Sequence, residues 1–179
     1  PGNLFVPNPN LRPEVARNKE AGVNLRFADV LRDGDRLRLR LTAFRNDIDD
    51  FIEQTVLPRT TVSRNVGRAR IEGVEAEAAY DAGTWWLGLG AAALRGEDRG
   101  TGQPLASIPA SRVNLNTGYR LLDSGVTVGG RLTLAATQDR APNVPGVAQR
   151  TPGYGLLELF ASWTPAFAPN LRLALAVDN

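Results

Sequence analysis

Paired carboxylates are the residues of this chain whose spacing most resembles that of a catalytic site. Glu75 and Glu77 are two residues apart, so on a β-strand both side chains point to the same face. Two carboxyl groups that flank a scissile bond serve as acid and base in glycosidases. A polar strand face in water shows the same pattern, because carboxylates there lie opposite arginines of the neighbouring strands. The second interpretation requires no reaction, and we predict that the chain is not an enzyme and has no catalytic residues.

Arginines at alternate positions are the second set of residues that suggests chemistry. Those expected on polar strand faces are Arg36, Arg38, Arg40, Arg112 and Arg131. A face lined by arginines attracts anions, but the same side chains also form ion pairs with nearby carboxylates. The sequence alone therefore leaves the ligand-binding residues unknown.

The composition argues against metal chemistry and against nucleic-acid binding. The 179 residues include no histidine and no cysteine, so zinc or haem ligation by histidine, histidine-based triads and disulfides are excluded within this segment. The loop around Asp98 and Arg99 resembles a calcium loop only loosely, because its spacing does not fit an EF-hand. Basic and acidic residues nearly balance, with 21 against 19, and a nucleic-acid partner would need a clustered basic face. We predict no metal site, no cofactor and no nucleic-acid partner.

Strict alternation of apolar and polar residues predicts the elements that carry these side chains. In Arg36–Leu41 every second residue is leucine, a period that spreads leucines around a helix but places them all on one face of a strand. Eight strands are predicted, at about 14–28, 36–51, 65–80, 85–95, 108–120, 126–137, 154–163 and 171–179. No apolar run approaches the roughly 18 residues of a membrane-spanning helix.

The connections between these strands alternate between short and long. Short turns are predicted at 33–35, 81–84, 123–125 and 165–170, and long connections at 53–64, 96–107 and 138–153. This alternation is typical of membrane β-barrels, which have turns at one rim and loops at the other. Large aromatic residues adjoin the short turns, as at a membrane interface: Phe27, Tyr80, Trp85, Trp86, Tyr119, Trp163 and Phe167. Periodicity alone also fits a soluble antiparallel sheet with one wet face.

Three segments resemble the TonB-dependent outer-membrane receptors. NPNLRPE at 8–14, followed by NKEAG at 18–22, is similar to the segment that leads into a late barrel strand of that family. NVGRARIEGVEAE at 65–77 is similar to another of its strands, and LRLALAVDN at 171–179 is similar to its penultimate strand. Within the second segment, Gly67 and Gly73 are expected to mark β-bulges or close contact with a plug.

The resemblance implies an all-β fold, an antiparallel transmembrane β-barrel of 22 strands with a separate N-terminal plug domain. Residues 1–179 are then expected to be a single segment from the C-terminal part of the barrel, with about eight strands. The plug and the TonB-contacting segment are expected upstream, and the last strand downstream.

The function implied by the resemblance is import across the outer membrane of a Gram-negative bacterium. The ligand would be an iron-siderophore complex or haem, and the energy would come from the TonB complex. The implied partners are outer-membrane lipid, the plug and TonB. Two alternatives remain: a complete eight-stranded barrel that acts as an anchor or adhesin, and a soluble ligand-binding β-protein.

Overall fold

The computed structural model describes residues 3–142 and 150–179, and its main element is one open antiparallel sheet. In chain order the strands are β1 (Leu4–Val6), β2 (Val15–Ala28), β3 (Arg36–Asp49), β4 (Ile52–Val56), β5 (Thr60–Asn65), β6 (Arg68–Asp81), β7 (Trp85–Asp98), β8 (Arg112–Leu121), β9 (Val126–Ala135), β10 (Tyr154–Trp163) and β11 (Leu173–Asp178). Eight of them form the main sheet, in the order β11-β10-β9-β8-β7-β6-β3-β2. Within the described residues β2 and β11 are its two edges, so the sheet does not close into the small eight-stranded barrel.

The predicted faces of the strands are confirmed by the register of the main sheet. Leu39 on β3 lies directly opposite Leu25 on β2 and Ala78 on β6. One step further along the sheet, Ala78 lies opposite Leu89 on β7, which in turn lies opposite Leu115 on β8. Because directly opposed residues share a face, the predicted apolar residues form one continuous surface, here called the apolar face. The side that carries Arg38 and Arg40 is called the polar face.

The apolar face is not covered by any other part of the described chain. Leu41 remains 49% exposed and Leu159 57% exposed, and other large apolar side chains of the face are similarly open. The buried hydrophobic cluster lies instead at the end of the sheet with the long connections, around Ile48, Ala69 and Leu105. A soluble sandwich buries the apolar side of its sheets, whereas an exposed apolar surface of this extent marks contact with a membrane or a partner.

The described residues contain one short helix, the single 3-10 turn Leu122–Ser124. No helix there is long and apolar enough to cross a membrane.

The lead-in and the first long connection are more ordered than predicted. β1, β5 and β4 form a second, three-stranded sheet in which β1 runs parallel to β5 and β4 runs antiparallel to it. The sequence analysis missed these strands because they are three to six residues long and show no sustained alternation. The strand predicted to begin at 108 begins at Arg112, because Leu105 and Ile108 pack in the buried cluster instead.

Short turns occur at the predicted positions at one end of the main sheet, here called the short-turn end. Gly34 and Gly83 adopt φ of +81° and +80°, a conformation that glycine accepts without strain. Gly125, with φ of +69°, ends the 3-10 turn that stands where the third short turn was predicted. The third long connection, predicted at 138–153, is described only in part, because residues 143–149 lie outside the described residues.

The aromatic residues lie near the short-turn end as predicted, but not all of them lie on the apolar face. Trp85 is opposite Tyr119 on that face, and Trp163 packs edge-on against Phe167 with ring centroids 6.2 Å apart. Trp86 lies on the polar face, so its assignment to a membrane interface is wrong. Successive side chains of a strand point to opposite faces, which means that Trp85 and Trp86 cannot both contact lipid.

Asp35 holds the first short turn together. Its side chain is 1% exposed and accepts hydrogen bonds from the backbone N–H groups of Val30, Leu31 and Arg32 at 2.7, 2.9 and 3.0 Å. The Tyr80 hydroxyl donates a further hydrogen bond at 2.6 Å. Burial acts to raise the pKa of this carboxyl group, but these hydrogen bonds to its charged form lower the pKa to about 2.

Cysteine labelling of β3 tests the assignment of faces. We expect single cysteines at 37, 39 and 41 of the complete protein to react with a lipid-soluble maleimide, because these positions lie on the apolar face. Cysteines at 38 and 40 should react with a water-soluble maleimide instead. Equal reactivity of odd and even positions would contradict the assignment.

The substitution Asp35→Asn should destabilise the folded protein in a pH-dependent way. The carboxyl pKa lies below its ordinary value of 3.8 in the folded state, so its stabilising effect is complete above that value and is lost as the pH falls through 2. Urea unfolding of the complete protein should show a difference between wild type and variant that is large at about pH 6 and shrinks toward about pH 2. Asp33→Asn, in the same turn and exposed, is the control. A difference that is constant with pH would contradict the role of the charge.

Candidate functional site

The polar face of the main sheet brings together the charged residues that the sequence singled out. Arg40 lies opposite Glu77 on β6, and Glu75 lies opposite Thr42 in the next row of the same face. Both glutamates are exposed, and neither forms an ion pair within the described residues. Both side chains are therefore open on the polar face of the sheet, in the position expected of residues on a wet strand face.

Two arginines of this face pair with carboxylates of other strands: Arg131 of β9 with Glu158 on the adjacent β10, and Arg120 of β8 with Asp81 at the end of β6, two strands away. Arg131 donates to Glu158 at 3.0 Å, and Arg120 donates to both oxygens of Asp81 at 3.0 and 3.1 Å. These pairs agree with the interpretation that carboxylates of the main sheet neutralise some of its arginines. Arg36 lies opposite Asp81, whereas Arg38 and Arg112 form no ion pair within the described residues.

An aromatic pair stands among these arginines near the short-turn end. Trp86 and Phe160 stack with centroids 6.4 Å apart and planes 27° apart. The Arg120 guanidinium lies 4.6 Å from the Trp86 ring, and that of Arg131 lies 5.5 Å from the Phe160 ring. Both are within the range of cation–π attraction, so this part of the polar face combines positive charge with flat aromatic surface.

Glycines beneath the two rings make this arrangement possible. A Cβ atom at Gly118 would come within 2.2 Å of the Trp86 ring, and one at Gly129 within 2.5 Å of the Phe160 ring. The rings therefore lie flat across the neighbouring strands. The Trp86 indole N–H also donates to the Asn116 side chain at 2.9 Å, which fixes the orientation of its ring.

At the opposite end, Asn65 attaches the lead-in to the hairpin β4–β5. Its side-chain oxygen accepts the Arg12 N–H at 2.8 Å, and its amide donates to the carbonyl oxygens of Arg12 at 2.9 Å and of Asp50. Asn8 donates to the Ser63 carbonyl at 2.9 Å, and Arg12 forms an ion pair with Asp50. The NPNLRPE motif therefore holds β1 and the hairpin together as one unit.

Glu53 connects this hairpin to the next long connection. Its side chain is buried, accepts the Ala106 N–H at 3.0 Å and lies 3.8 Å from the Arg64 guanidinium. Leu105, the residue before Ala106, is buried in the hydrophobic cluster. The two connections and the lead-in thus form one small packed body on the end of the sheet, which we call the loop body (residues 3–14, 50–67 and 99–111).

The loop at Asp98 satisfies its carboxylate internally. One oxygen accepts the Gly100 N–H at 2.8 Å, and the other accepts the Thr101 hydroxyl at 2.9 Å. Among the described residues no three acidic side chains come together as a metal site would require.

Of the two expectations for Gly67 and Gly73, the β-bulge is wrong at Gly73, and close contact with a plug stays a prediction. The register of β6 with both neighbours is continuous through Gly73, so no bulge occurs there. A Cβ atom at Gly73 would come within 2.9 Å of the Phe44 ring on the adjacent strand. This contact within the main sheet explains why residue 73 is a glycine. A Cβ atom at Gly67 would meet nothing within 4 Å.

Sequence reasoning missed several residues that organise the site. Asn65 was noted only as the first residue of the segment 65–77 and Glu53 was not noted at all, because each acts on segments that are distant in the chain. Phe160 was also missed as a partner of Trp86. Each of these aromatic residues lies opposite a glycine of the adjacent strand, Gly118 and Gly129. An aromatic residue that faces glycine on an adjacent strand is a signal that a strand alignment, once known, can detect.

One family and several known proteins match this chain. The family described as "TonB dependent receptor-like, beta-barrel" matches residues 1–179. Heme/hemopexin utilization protein C of Haemophilus influenzae is 34% identical over 199 residues, which cover 99% of this chain and 27% of that protein. The hemin receptor of Yersinia pestis is 32% identical over 165 residues, which cover 90% of this chain and 24% of that protein. The chain thus spans about a quarter of the length of these relatives.

Solved structures share the fold of the described residues. The copper transporter OprC superposes with a TM-score of 0.77 at 22% identity, over 96% of this chain and 26% of that chain. A variant of the ferric enterobactin receptor of Pseudomonas aeruginosa superposes with a TM-score of 0.73 at 20% identity, over 98% of this chain and 27% of that chain. At these identities the likeness concerns the fold alone.

The substitution Gly118→Val should destabilise the complete protein by about 1–3 kcal/mol, because the added side chain overlaps the Trp86 ring. In the double variant Trp86→Leu/Gly118→Val the overlap with the ring is absent, while the close approach of the added Cβ atom to the Val128 carbonyl oxygen, at 2.7 Å, remains, so part of the loss should be recovered. Urea unfolding of the single and double variants in detergent gives the coupling, expected at about 0.5–3 kcal/mol. Strictly additive losses would contradict the contact.

Proposed function

This chain belongs to the TonB-dependent receptor family, and we propose that the complete protein imports haem across the outer membrane with energy supplied by the TonB complex. The described sheet supplies eight strands of the outer-membrane β-barrel. The observation that carries the proposal is the match of the whole chain to this family together with the names of its curated relatives, a heme/hemopexin utilization protein and a hemin receptor. An iron-siderophore complex is the second candidate ligand.

The proposal extends to parts of the protein outside this segment. A plug domain and the segment that contacts TonB lie upstream, and a closing strand lies downstream, in a barrel of 22 strands. The open edges at β2 and β11 support this arrangement, since unpaired backbone groups in hydrocarbon cost several kcal/mol each.

The unequal ends of the strands support one orientation in the membrane. We place the long connections outside the cell and the short turns in the periplasm, as in bacterial barrels. β3, β6 and β7 each have 14 residues, which gives a length of about 46 Å at a rise of about 3.3 Å per residue. A strand of that length, tilted by about 45°, crosses the hydrocarbon core of about 30 Å and extends beyond it. The loop body stands on this extension, clear of the lipid.

In this proposal the segment has two tasks. The apolar face contacts lipid while the polar face lines the lumen through which the ligand passes. The loop body presents a preorganised surface to the outside, because Asn65 and Glu53 hold its three parts together. Loops that are tied to one another lose less conformational entropy when a ligand binds.

Growth on haem tests the proposed ligand. The complete protein should allow a Gram-negative host that cannot synthesise haem, and that lacks its own haem receptors, to grow on external haem. Growth should disappear when TonB is deleted, because import against a gradient requires energy. The same strain on ferric siderophores is the comparison. Growth on a ferric siderophore but not on haem would show that the ligand is the siderophore complex. Growth on haem without TonB would contradict the proposed energy source.

A further inference from the structure

The apolar face ends in a row of charged residues at the end of the sheet with the long connections. The row consists of Lys19, Arg45, Glu72 and Arg95, which lie opposite one another in turn on β2, β3, β6 and β7. All four side chains are exposed. This row, here called the border row, contains three cations and one carboxylate, so it carries an excess of positive charge.

The positive charge of the border row is poorly balanced by the sheet itself. Lys19 lies directly opposite Arg45, and like charges in that position destabilise a sheet. Lys19 forms no ion pair within the described residues. Arg45 and Arg95 lie 3.2 Å from Asp47 and 3.8 Å from Glu97, and their side chains remain 46% and 58% exposed. Ion pairs this exposed contribute little, so the row remains attractive to anions.

The next row outward is balanced. There Arg17, Asp47, Arg70 and Glu97 lie opposite one another in turn, so every cation faces a carboxylate. Opposite charges that face each other across strands stabilise a sheet. The excess of positive charge is therefore confined to the row that borders the apolar face, where the proposed function places lipid headgroups.

The two ends of the apolar face differ in chemistry. At the short-turn end it carries Trp85, Tyr119 and Trp163, whereas no residue of the border row is aromatic. Aromatic rings suit a membrane interface in general. Exposed cations add an attraction that depends on anionic headgroups, which indicates an anionic lipid at the end with the long connections.

An apolar hollow lies beside the border row. Its volume is about 500 Å³. Ala93, one of its lining residues, is the neighbour of Arg95 on the same face of β7. The lining is apolar except for Ser111 and Arg112, at the end of β8 nearest the long connections, and it includes no carboxylate. The lining residues of the apolar face are Val74, Ala76, Ala91, Ala93, Val113 and Leu134.

We propose that the border row and this hollow together bind one phosphate-bearing lipid of the outer leaflet. This inference rests on the proposed function, in which the long connections face the outside and the apolar face contacts lipid. The phosphate lies on the cations of the border row, and one acyl chain fills the hollow. Other lipids around the barrel make only one of these two contacts, so this lipid is retained when they exchange.

The chemistry of the two parts defines the lipid that fits. Arginine binds phosphate oxygens through two parallel hydrogen bonds, and the long stems of Arg45 and Arg95 let their charged ends reach the headgroup from the sheet. An acyl chain gains from close packing against the hollow, since lipid chains are themselves as apolar as leucine. A zwitterionic headgroup fits less well, because its own cation faces those of the row.

Glu72 is the group of the border row that opposes such a headgroup. It lies between Arg45 and Arg95 in the row, and it forms no ion pair within the described residues. Its carboxylate repels a phosphate and so lowers the affinity of the site. If the arginines served only to balance Glu72, its removal would instead leave lipid binding unchanged.

A lipid titration of the complete receptor in detergent tests the headgroup. Native mass spectrometry counts the bound molecules of dipalmitoyl phosphatidic acid and of dipalmitoyl phosphatidylcholine, which have the same chains but differ in net charge. We expect the first molecule of phosphatidic acid to bind about tenfold more tightly or better. Equal affinities would overturn the proposal. Displacement of the lipid by millimolar sodium phosphate would also overturn it, because the site would then bind free phosphate without a chain.

Charge variants locate the headgroup. Arg45→Gln/Arg95→Gln should abolish the preference for phosphatidic acid, whereas Arg59→Gln/Arg172→Gln, which removes two exposed arginines outside the border row, should retain it. Equal preferences in the two double variants would overturn the assignment. Glu72→Gln should strengthen the binding of phosphatidic acid several-fold, and unchanged or weaker binding would contradict the placement of the phosphate.

A variant that fills the hollow locates the acyl chain. Ala91→Leu should weaken the binding of both lipids, whereas Ala161→Leu, on the same face near the short-turn end, should not. Unchanged binding to Ala91→Leu would overturn the role of the hollow, and heat-modifiable gel mobility checks that each variant is folded. The readout does not depend on transport, so a receptor that selects phosphatidic acid in this way but fails to support growth on haem contradicts the proposed ligand and not the lipid site.

Discussion

The structure depends on the pairing of every strand of the main sheet with its neighbours while one side of that sheet stays apolar and uncovered. Backbone N–H and C=O groups cannot be left unpaired away from water, and the antiparallel ladder from β2 to β11 satisfies them without any covering layer. The period of two then separates the side chains, so that Leu39 and Arg40 face different environments. A shift of one residue in register would exchange those environments along a whole strand, which explains why the alternation is so strict in β3.

The arginines of the polar face differ in whether a carboxylate of the sheet lies beside them. Arg120 and Arg131 are neutralised by carboxylates of other strands of the sheet and lie against aromatic rings. These pairs are partly exposed, so each stabilises the wall only modestly. Arg26 and Arg38 have no such partner within the described residues.

The two ends of the strands are stabilised in different ways. At the short turns, glycines with positive φ and the buried Asp35 carboxylate fix the backbone over a few residues. At the long connections, a hydrophobic cluster and the side chains of Asn65 and Glu53 join segments that are up to 53 residues apart in the chain. Short local contacts are sufficient for turns, whereas the long connections are held by contacts between segments that are distant in the chain.

The sequence by itself determined the class of fold, the number of strands in the main sheet, their faces and the positions of the short turns, because these follow from a local period of two and from glycine and aspartate at the turns. It did not determine which arginines are neutralised, that Trp86 stacks against Phe160, or that NPNLRPE attaches to a hairpin through Asn65. Each of these depends on which residues lie opposite one another across strands, and register is a property of the assembled sheet. The tertiary structure alone therefore decided the pairing of charges and the packing of the loop body.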